Sequence, residues 1–344
     1  MKYYCGIDLG CKETAMCVID SDRKVVREVK VRTEPGPITE VLTGLQDVIC
    51  LVETAPLAEW LAKQVEAVGH KVHLVCAKKA KKAMVSQKKK TDKRDARALA
   101  ELCRSGWYEP VHRKSDSARN MRSFLTARKQ LVESSTAIAS SLRGILRAHG
   151  IRLSGVGSDE PGFSKAVKTA AKGLDSQVKG CILQMLEAFE DLHDRQRKMY
   201  RQLEKETRLE GPAKLLKTAH GVGAATAAAF VATIDNPHRF ADGEKLASYL
   251  GIVPSIYQSG GTEYRGRITK TGDKLLRWLL VEAANSLLLR CKKESRLREL
   301  GLKLAETKGY GKARVAVARR LCGILLKMWK DNKPFEPDYA KAAA

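Results

Sequence analysis

The chain has 344 residues, enough for two domains with separate cores, and a hydrophobic content of 44%, which is typical of a folded protein. Its 63 Lys and Arg residues oppose 39 Asp and Glu, and the net charge of +24 favours nucleic acid as the partner over an acidic membrane surface. No apolar run reaches the roughly 18 residues that span a bilayer, and the N-terminus lacks a signal-peptide pattern. We expect a cytoplasmic protein with no membrane partner.

The first 75 residues predict short strands and then alternating helices and strands. Strands are predicted at residues 3–9, 14–19, 25–31, 48–52 and 71–75, with helices after Pro37 and at 57–68. Three hairpin-type strands followed by helix–strand alternation is the order of an RNase H-like fold. We therefore predict an α/β domain with a mixed sheet over residues 1–114.

The middle of the chain predicts two long helices, at residues 115–149 and roughly 165–209, joined by a turn through 150–164. A heptad seam marks the second helix through Val178, Ile182, Met185, Phe189, Leu192, Gln196, Met199 and Leu203. Residues 115–210 therefore form either an antiparallel helical hairpin or an intermolecular coiled coil, and the seam does not choose between them.

Beyond Gly211 the pattern predicts a mainly α-helical domain over residues 211–344. The turn around Gly221 and Gly223 is similar to that of a helix-hairpin-helix, whose backbone N–H groups bind DNA phosphate. A plain glycine-rich helix turn is the alternative. Residues 300–344 are basic and helical, and no role is assigned to them.

Nine cysteines and two neighbouring histidines give no metal-site pattern. The cysteines lack C-x-x-C spacing and are odd in number, so we expect reduced, buried thiols. His70 and His73 have no ligand partners nearby in sequence, and we expect them at the surface.

Four acidic residues stand out by their positions. Asp8 ends an apolar strand, Glu53 directly follows the strand at 48–52, and Asp92 and Asp95 share one face of a predicted helix. If they converge, their mutual repulsion requires a hard cation; two Mg²⁺ ions would suit a phosphodiester reaction, with Mn²⁺ as an alternative. Otherwise, Asp92 and Asp95 are only a helix cap and a first-turn acid.

Basic residues surround these acids. Nine of the 17 residues at 78–94 are basic and suit nucleic-acid binding: Lys78, Lys79, Lys81, Lys82, Lys88, Lys89, Lys90, Lys93 and Arg94. Such a run is also common on a merely solvated face.

A serine forms the third feature. Ser259 precedes Gly260-Gly261 in a polar segment, which is usually a flexible loop and would leave its hydroxyl open to attack phosphorus. Ser255 is the alternative nucleophile. Five basic residues follow that could bind phosphates around a scissile bond: Arg265, Arg267, Lys270, Lys274 and Arg277.

In order, Gly-Ile-Asp8, Val-Glu53-Thr, Thr-Asp92-Lys-Arg-Asp95, Gly221-Val-Gly223 and Ser259-Gly-Gly resemble the DEDD transposases of insertion-sequence family one-ten and its eleven-eleven relatives, including Piv-type invertases. The resemblance covers about residues 1–290. It implies a RuvC-like domain in which Asp8, Glu53, Asp92 and Asp95 hold Mg²⁺, and a C-terminal transposase domain with Ser259 as the nucleophile.

The resemblance also implies partners. These are DNA, as the element ends or junction and the target, and a noncoding bridge RNA that guides recombination. It implies a homo-oligomer, dimer or tetramer, joined partly through a coiled coil, with active sites that combine subunits.

Three alternatives remain. A RuvC-like nuclease or Holliday junction resolvase would hydrolyse DNA and need the four acids but not Ser259. A sugar-kinase or actin-like ATPase would explain Gly6-Ile-Asp8 but predicts a less basic chain. The third is a non-catalytic, basic coiled-coil DNA-binding protein.

Overall fold

The computed structural model describes residues 2–83, 91–158, 162–209, 211–259 and 262–337. The chain divides into two compact units, Met1–Lys114 and Ser115–Ala344, called the N-terminal and the C-terminal unit below.

A five-stranded mixed sheet forms the centre of the N-terminal unit. Its strands are β1 (Tyr3–Leu9), β2 (Glu13–Ile19), β3 (Val25–Arg32), β4 (Val48–Glu53) and β5 (Lys71–Val75). They lie in the order β3-β2-β1-β4-β5, with β1 antiparallel to β2, β2 antiparallel to β3, and β1, β4 and β5 mutually parallel. The predicted α/β class with a mixed sheet is confirmed.

Helices cover both faces of this sheet. Four are present among the described residues: α1 (Pro35–Glu40), α2 (Ala58–Ala67), α3 (Ala77–Ala83) and α4 (Asp92–Ser105). Side chains of α1 and α2 pack with Cys5, Ile7 and Val52 on one face. Leu99, Leu102 and Cys103 of α4 pack with Leu51 on the other. The alternation of strand side chains therefore separates two apolar layers.

The predicted first helix differs slightly from the observed one. It begins at Pro35, whereas a helix was expected only after Pro37, and both prolines lie in its first turn. Proline fits there because first-turn N–H groups have no partner within the helix.

The C-terminal unit is mostly helical, as expected. Its helices are α5 (Asp116–Ala148), α6 (Phe163–Ala170), α7 (Ser176–Leu209), α8 (Pro212–Leu216), α9 (Ala224–Ile234), α10 (Gly243–Leu250), α11 (Lys274–Leu289), α12 (Arg296–Lys308) and α13 (Tyr310–Asp331), with 3₁₀ turns at Ala171–Gly173 and Pro237–Arg239. Every residue of α9 except Val231 is buried, so this helix forms the centre of the unit's core.

Helices α5 and α7 form an antiparallel pair within the chain. Their shared core joins Leu142 and Leu146 to Ile182 and Leu186. Gln196, the polar interruption of the heptad seam, donates hydrogen bonds from Nε2 to the Ser135 hydroxyl at 2.6 Å and the Leu131 carbonyl at 3.2 Å. This polar seam position therefore faces α5.

The single helix predicted from about residue 165 is wrong in one respect. The chain breaks between α6 and α7 through the 3₁₀ turn Ala171–Gly173. Asp175 accepts a hydrogen bond from the Gln177 backbone N–H at 2.8 Å and so starts a new helix, which the heptad pattern alone did not show.

The C-terminal unit also contains a hairpin of β6 (Pro254–Ser259) and β7 (Thr262–Ile268). The sequence predicted a flexible loop here. Ile256 and Tyr257 lie directly opposite Arg265 and Tyr264, and such β-branched and aromatic residues favour strands, a signal that the Ser-Gly-Gly pattern obscured.

The cysteines and histidines depart in part from expectation. Cys5, Cys17, Cys50, Cys103 and Cys322 are buried, but Cys11 and Cys181 are exposed. Burial raises the pKa of Cys103 to about 12. His70 and His73 are half-buried rather than at the surface, and His73 Nδ1 lies 2.6 Å from the Tyr108 hydroxyl.

None of the helices in the described residues is both long and apolar enough to cross a membrane.

Candidate carboxylate site and serine hairpin

Asp8 and Glu53 lie at the carboxyl ends of neighbouring parallel strands. Ile7 of β1 pairs with Val52 of β4, so the next residues, Asp8 and Glu53, stand at the same level of the sheet. Adjacent strands are about 4.8 Å apart. Both acids are partly buried, and by alternation both share the face of Gly6 and Leu51, which is the face that α4 covers.

Helix α4 crosses this face in contact with β1. A Cβ atom on Gly6 would lie 2.0 Å from the Ala96 carbonyl oxygen and 2.3 Å from the Ala100 backbone nitrogen. Glycine is therefore required at position 6 by the close approach of two backbones. The Cys103 thiol donates to the Ile49 carbonyl at 3.4 Å, so the end of α4 lies over the start of the strands. Its first turn consequently lies toward the strand ends that carry Asp8 and Glu53.

Asp92 and Asp95 occupy that first turn. Thr91 is the N-cap, and its hydroxyl accepts the Arg94 backbone N–H, so neither aspartate is the cap itself. Asp92 is exposed and forms an ion pair with Lys30 of β3 at 3.2 Å. Asp95 is half-buried and lies one turn before Leu99, which packs on Leu51 of β4. Asp92 therefore lies on the β3 side of α4, and Asp95 lies on the same side of α4 as Leu99, toward β4.

Lys30, the ion-pair partner of Asp92, lies at the same level of the sheet as Asp8. Lys30 pairs with Ala15 of β2, and Ala15 pairs with Asp8. Lys30 also binds Glu13 at 2.9 Å, and the Glu13 and Asp92 carboxylates raise the pKa of Lys30. Lys30 carries no signal of its own in the sequence, because only the register across β2 and β3 shows that its side chain reaches the acids.

Carboxylate oxygens are the ligands that Mg²⁺ prefers, so the chemistry of these four side chains fits a divalent cation. In the described part of the chain, no three acidic, histidine or cysteine side chains lie close enough to hold one ion. The fold brings the four acids to one edge and one face of the sheet without gathering them into a single cluster.

The basic run near α4 is only partly described. Lys78, Lys79, Lys81 and Lys82 lie on α3, and Lys93 and Arg94 lie in the first turn of α4, all of them exposed. Lys79 forms an ion pair with Glu109, which holds the pKa of that carboxyl below its usual value. Lys88, Lys89 and Lys90 lie outside the described residues.

The candidate nucleophile lies in the C-terminal unit. Ser259 is the last residue of β6 and pairs with Thr262 of β7, at the tip of the hairpin. Its side chain lies outside what the structure describes. The Ser255 hydroxyl donates to the Arg267 carbonyl at 3.1 Å near the base of the hairpin. The choice between Ser259 and Ser255 as the reactive hydroxyl stays a prediction.

The base of the hairpin is held by close backbone contacts. A Cβ atom on Gly251 would lie 2.2 Å from the Thr271 carbonyl oxygen, and one on Gly272 would lie 2.0 Å from that of Tyr249. Both glycines have positive φ, +67° and +77°. Two side-chain-free positions thus clamp the segments that enter and leave the hairpin.

Arg277 completes this clamp. Its guanidinium Nη1 donates to the Leu250 and Thr271 carbonyls, each at 2.8 Å, one on either side of the hairpin. The sequence predicted Arg277 as a phosphate ligand, whereas the structure gives it backbone partners. Arg267, Lys270 and Lys274 are exposed, and the side chain of Arg265 lies outside the described part. Phosphate binding by all five of these basic residues stays a prediction.

The glycine turn before α9 has a packing reason of its own. Gly221 has φ +82°, and a Cβ atom there would lie 2.5 Å from the Ala283 carbonyl of α11. Gly223 is exposed and is the N-cap of α9. The tight approach explains Gly221 without a ligand, and phosphate binding by this turn stays a prediction.

Two family models match the chain. The DEDD transposase model named for IS110 matches residues 5–151, which include Asp8, Glu53, Asp92 and Asp95. The model described as "Transposase IS116/IS110/IS902 family" matches residues 213–299, which include Gly221, Gly223 and the hairpin.

Full-length relatives agree with these matches. The transposase of insertion sequence element IS1111A from Coxiella burnetii is 26% identical over 93% of this chain and 87% of its own length. A probable family 20 transposase from Pseudomonas aeruginosa is 24% identical over 96% and 98%. The transposase of IS1328 from Yersinia enterocolitica is 22% identical over 84% and 85%. The chain belongs to the IS110 family of DEDD transposases.

Proposed function

We propose that this transposase cuts and rejoins DNA strands during insertion-sequence transposition, with Asp8, Glu53, Asp92 and Asp95 as ligands of Mg²⁺ and Ser259 as the nucleophile. The observation that carries the proposal is the register of β1 and β4, which puts Asp8 and Glu53 side by side under α4. The order β3-β2-β1-β4-β5 supports an RNase H-like, RuvC-like assignment for residues 1–114.

The four carboxylates would act as a set. Alone they repel the phosphates of DNA, and a bound divalent cation would offset that charge and stabilise the oxygen atoms around the scissile phosphorus. Lys30, which pairs with Asp92 at 3.2 Å, would release this carboxylate to a bound cation. The exposed lysines of α3 and the first turn of α4 would draw the DNA backbone toward this edge through counterion release.

Ser259 would attack phosphorus through its hydroxyl oxygen. One phosphorus–oxygen bond forms to the serine as one bond to the leaving DNA oxygen breaks, and the serine proton passes to that oxygen. The covalent phosphoserine retains the energy of the broken bond. Attack by a hydroxyl of another strand then reseals the DNA without consumption of water.

For the assembly, the C-terminal domain and the guide RNA, we propose what the family resemblance implies. Residues 115–210 would serve in assembly of a dimer or tetramer through a coiled coil, and residues 211–344 would form the transposase domain. A noncoding bridge RNA would select the donor and target DNA. As the family resemblance implies, the active sites would combine residues of different subunits.

The test is an SDS-resistant protein–DNA adduct on supercoiled DNA that carries the native element, with and without its noncoding transcript. Wild type, Ser259→Ala, Ser255→Ala and Asp8→Asn are compared in Mg²⁺ and in EDTA. We expect an adduct that needs Mg²⁺, Ser259 and Asp8 but survives Ser255→Ala. Nicked DNA without adduct, unaffected by Ser259→Ala, would instead establish the hydrolytic nuclease.

A further inference from the structure

A pocket of about 340 Å³ lies beside the carboxyl end of β5. Its floor is formed by the buried side chains of Val75, Ala80 and Leu102, and its rim carries Lys79, Lys82 and Trp107. This volume is at the lower end of the range for sites that bind small organic groups. The pocket thus has an apolar base, an aromatic wall and a cationic edge.

Trp107 is the feature that needs an explanation. Its side chain is 80% exposed, the largest exposure among the exposed large hydrophobic residues of the described chain. It follows Gly106, the left-handed C-cap of α4, which turns the chain away from the helix axis. An indole this exposed to water contributes little to folding. Trp107 also lines the pocket, and tryptophan is enriched at interaction sites relative to the rest of a protein surface.

The pocket shares an edge and a face with the candidate carboxylates. Val75 of its floor pairs with Glu53 of β4, one strand away from Asp8. Val75 packs with Leu51, Leu99 and Leu102, and so lies on the face that α4 covers. A group bound in the pocket would therefore lie next to the edge where DNA would meet the four acids.

The lysines around the pocket favour a polyanion as its ligand. Lys79 and Lys82 lie on its rim, Lys78 and Lys81 lie on the same short helix, and the chain carries a net charge of +24. Glu109 also lines the pocket, but it is paired with Lys79 and leaves the rim cationic. An apolar cleft with an aromatic wall and lysines at its edge matches a nucleobase joined to its phosphates.

We propose that this pocket takes one unpaired base of a DNA strand, stacked on Trp107, with its neighbouring phosphates against Lys79 and Lys82. A base within a duplex is stacked on both faces and would have to leave its helix to enter. The site would therefore favour strand ends, junctions and nicked segments over intact duplex. This inference builds on the proposed function only in the choice of DNA as the polymer.

The experiment measures binding without cleavage, in EDTA, with the full-length chain. Fluorescently labelled dT12, the same oligonucleotide with abasic positions, a 12-base-pair duplex and U12 are titrated by anisotropy. Wild type is compared with Trp107→Ala and Trp107→Phe, and with Trp278→Ala as the control, because Trp278 is a partly exposed tryptophan on α11. Far-UV circular dichroism verifies that each variant is folded.

We expect Trp107→Ala to weaken dT12 binding about tenfold, as for loss of one stacked base, and Trp107→Phe to weaken it less. For both Trp107 variants, the affinities for the duplex and for the abasic oligonucleotide should stay within about twofold of the wild-type values. Lys82→Ala should weaken the binding of all four oligonucleotides to a similar extent. It should also lower the slope of log affinity against log salt concentration by about one. Quenching of tryptophan emission by dT12 should shrink in Trp107→Phe and persist in Trp278→Ala.

Equal affinity of wild type and Trp107→Ala for dT12 would overturn the proposal, as would an equal loss for duplex. A Trp107→Ala chain of altered oligomeric mass but unaltered dT12 binding would make the pocket a contact between protein copies. If Trp107→Ala weakened the binding of U12 but not of dT12, the assignment of the pocket to DNA would be overturned. If wild type gives Trp107-dependent dT12 binding but no covalent adduct on element DNA, the pocket stands and the proposed recombination fails.

Discussion

The carboxylate edge and the serine hairpin place their reactive groups by different physical means. Asp8 and Glu53 follow buried strands, so the register of β1 and β4 and the packing of α4 fix their positions. Ser259 ends a strand of a two-stranded hairpin that exposes Ile256, Tyr257 and Tyr264, at 58%, 65% and 66%. A two-stranded ribbon is marginally stable alone, so its base must hold it.

This contrast teaches where each site is sensitive. The carboxylate edge depends on core packing a few residues away, and the hairpin depends on the glycine and arginine clamp at its root. Substitutions that test the two regions should therefore fall into three groups. Some should lower the yield of the covalent adduct directly, some should lower the stability of the fold, and some should misplace the hairpin that carries Ser259.

The largest expected effect is on chemistry at the carboxylate edge. Asp8→Asn keeps the size of the side chain but removes one charge of the set, so adduct formation in Mg²⁺ should fall at least a hundredfold. Glu53→Gln should act similarly, whereas Asp22→Asn, an exposed acid in the turn after β2, should not. Adduct yield and the melting temperature are measured together. An active Asp8→Asn protein would remove the carboxylate set from the reaction.

A smaller but still large effect is expected on folding of the N-terminal unit. Gly6→Ala would force a Cβ atom to within 2.0 Å of the α4 backbone, so β1 and α4 must separate. Overpacking against other side chains costs about 1–3 kcal/mol, and backbone cannot move aside as they do, so we expect about 3 kcal/mol or more. Gly36→Ala, with no atom within 4 Å of the added Cβ, is the matched control. Equal urea midpoints for the two variants would contradict the close approach.

The sequence predicted the N-terminal unit more fully than the C-terminal one, for a physical reason. Apolar runs flanked by turns specify strands locally, and parallel strands bring their carboxyl ends to one edge, so Asp8 and Glu53 could be found without coordinates. Position 6 was readable only as part of a Gly-Ile-Asp motif, because its contact with Ala96 is distant in sequence. Lys30 was missed for the same reason.

In the C-terminal unit, the local signals were ambiguous. Ser-Gly-Gly is common in loops, and it hid a hairpin whose strands carry few buried residues. Arg277 was predicted to bind phosphate because it follows four other basic residues, and its Nη1 donates to the Leu250 and Thr271 carbonyls, a structural role that the charge pattern did not indicate. Charge patterns indicate a class of partner, and they do not distinguish a ligand-binding arginine from one that holds the backbone.

Loss of positioning should be smaller and confined to the hairpin. Arg277→Lys keeps the charge but removes the planar group that bridges the carbonyls of Leu250 and Thr271. We expect about 1–2 kcal/mol of lost stability in the C-terminal unit and about tenfold less adduct, with DNA affinity within twofold of wild type. Arg290→Lys, the same exchange at an exposed arginine just after α11, is the matched control. Unchanged adduct yield with weakened DNA binding would restore Arg277 as a phosphate ligand.

The smallest expected effect concerns how tightly the carboxylate edge takes up its cation. Lys30 holds Asp92 at 3.2 Å and adds positive charge at the level of Asp8, so it competes with a divalent cation for the same oxygens. Lys30→Gln should therefore lower the Mg²⁺ concentration at half-maximal adduct yield about two- to threefold. Because the Lys30 side chain is exposed, the melting temperature should change little. Lys24→Gln, an exposed lysine before β3, is the control, and a Mg²⁺ titration is the measurement. A higher Mg²⁺ requirement in Lys30→Gln would mean that Lys30 orders Asp92 for the cation, so that the ion pair at this edge prepares the site instead of opposing its ligand.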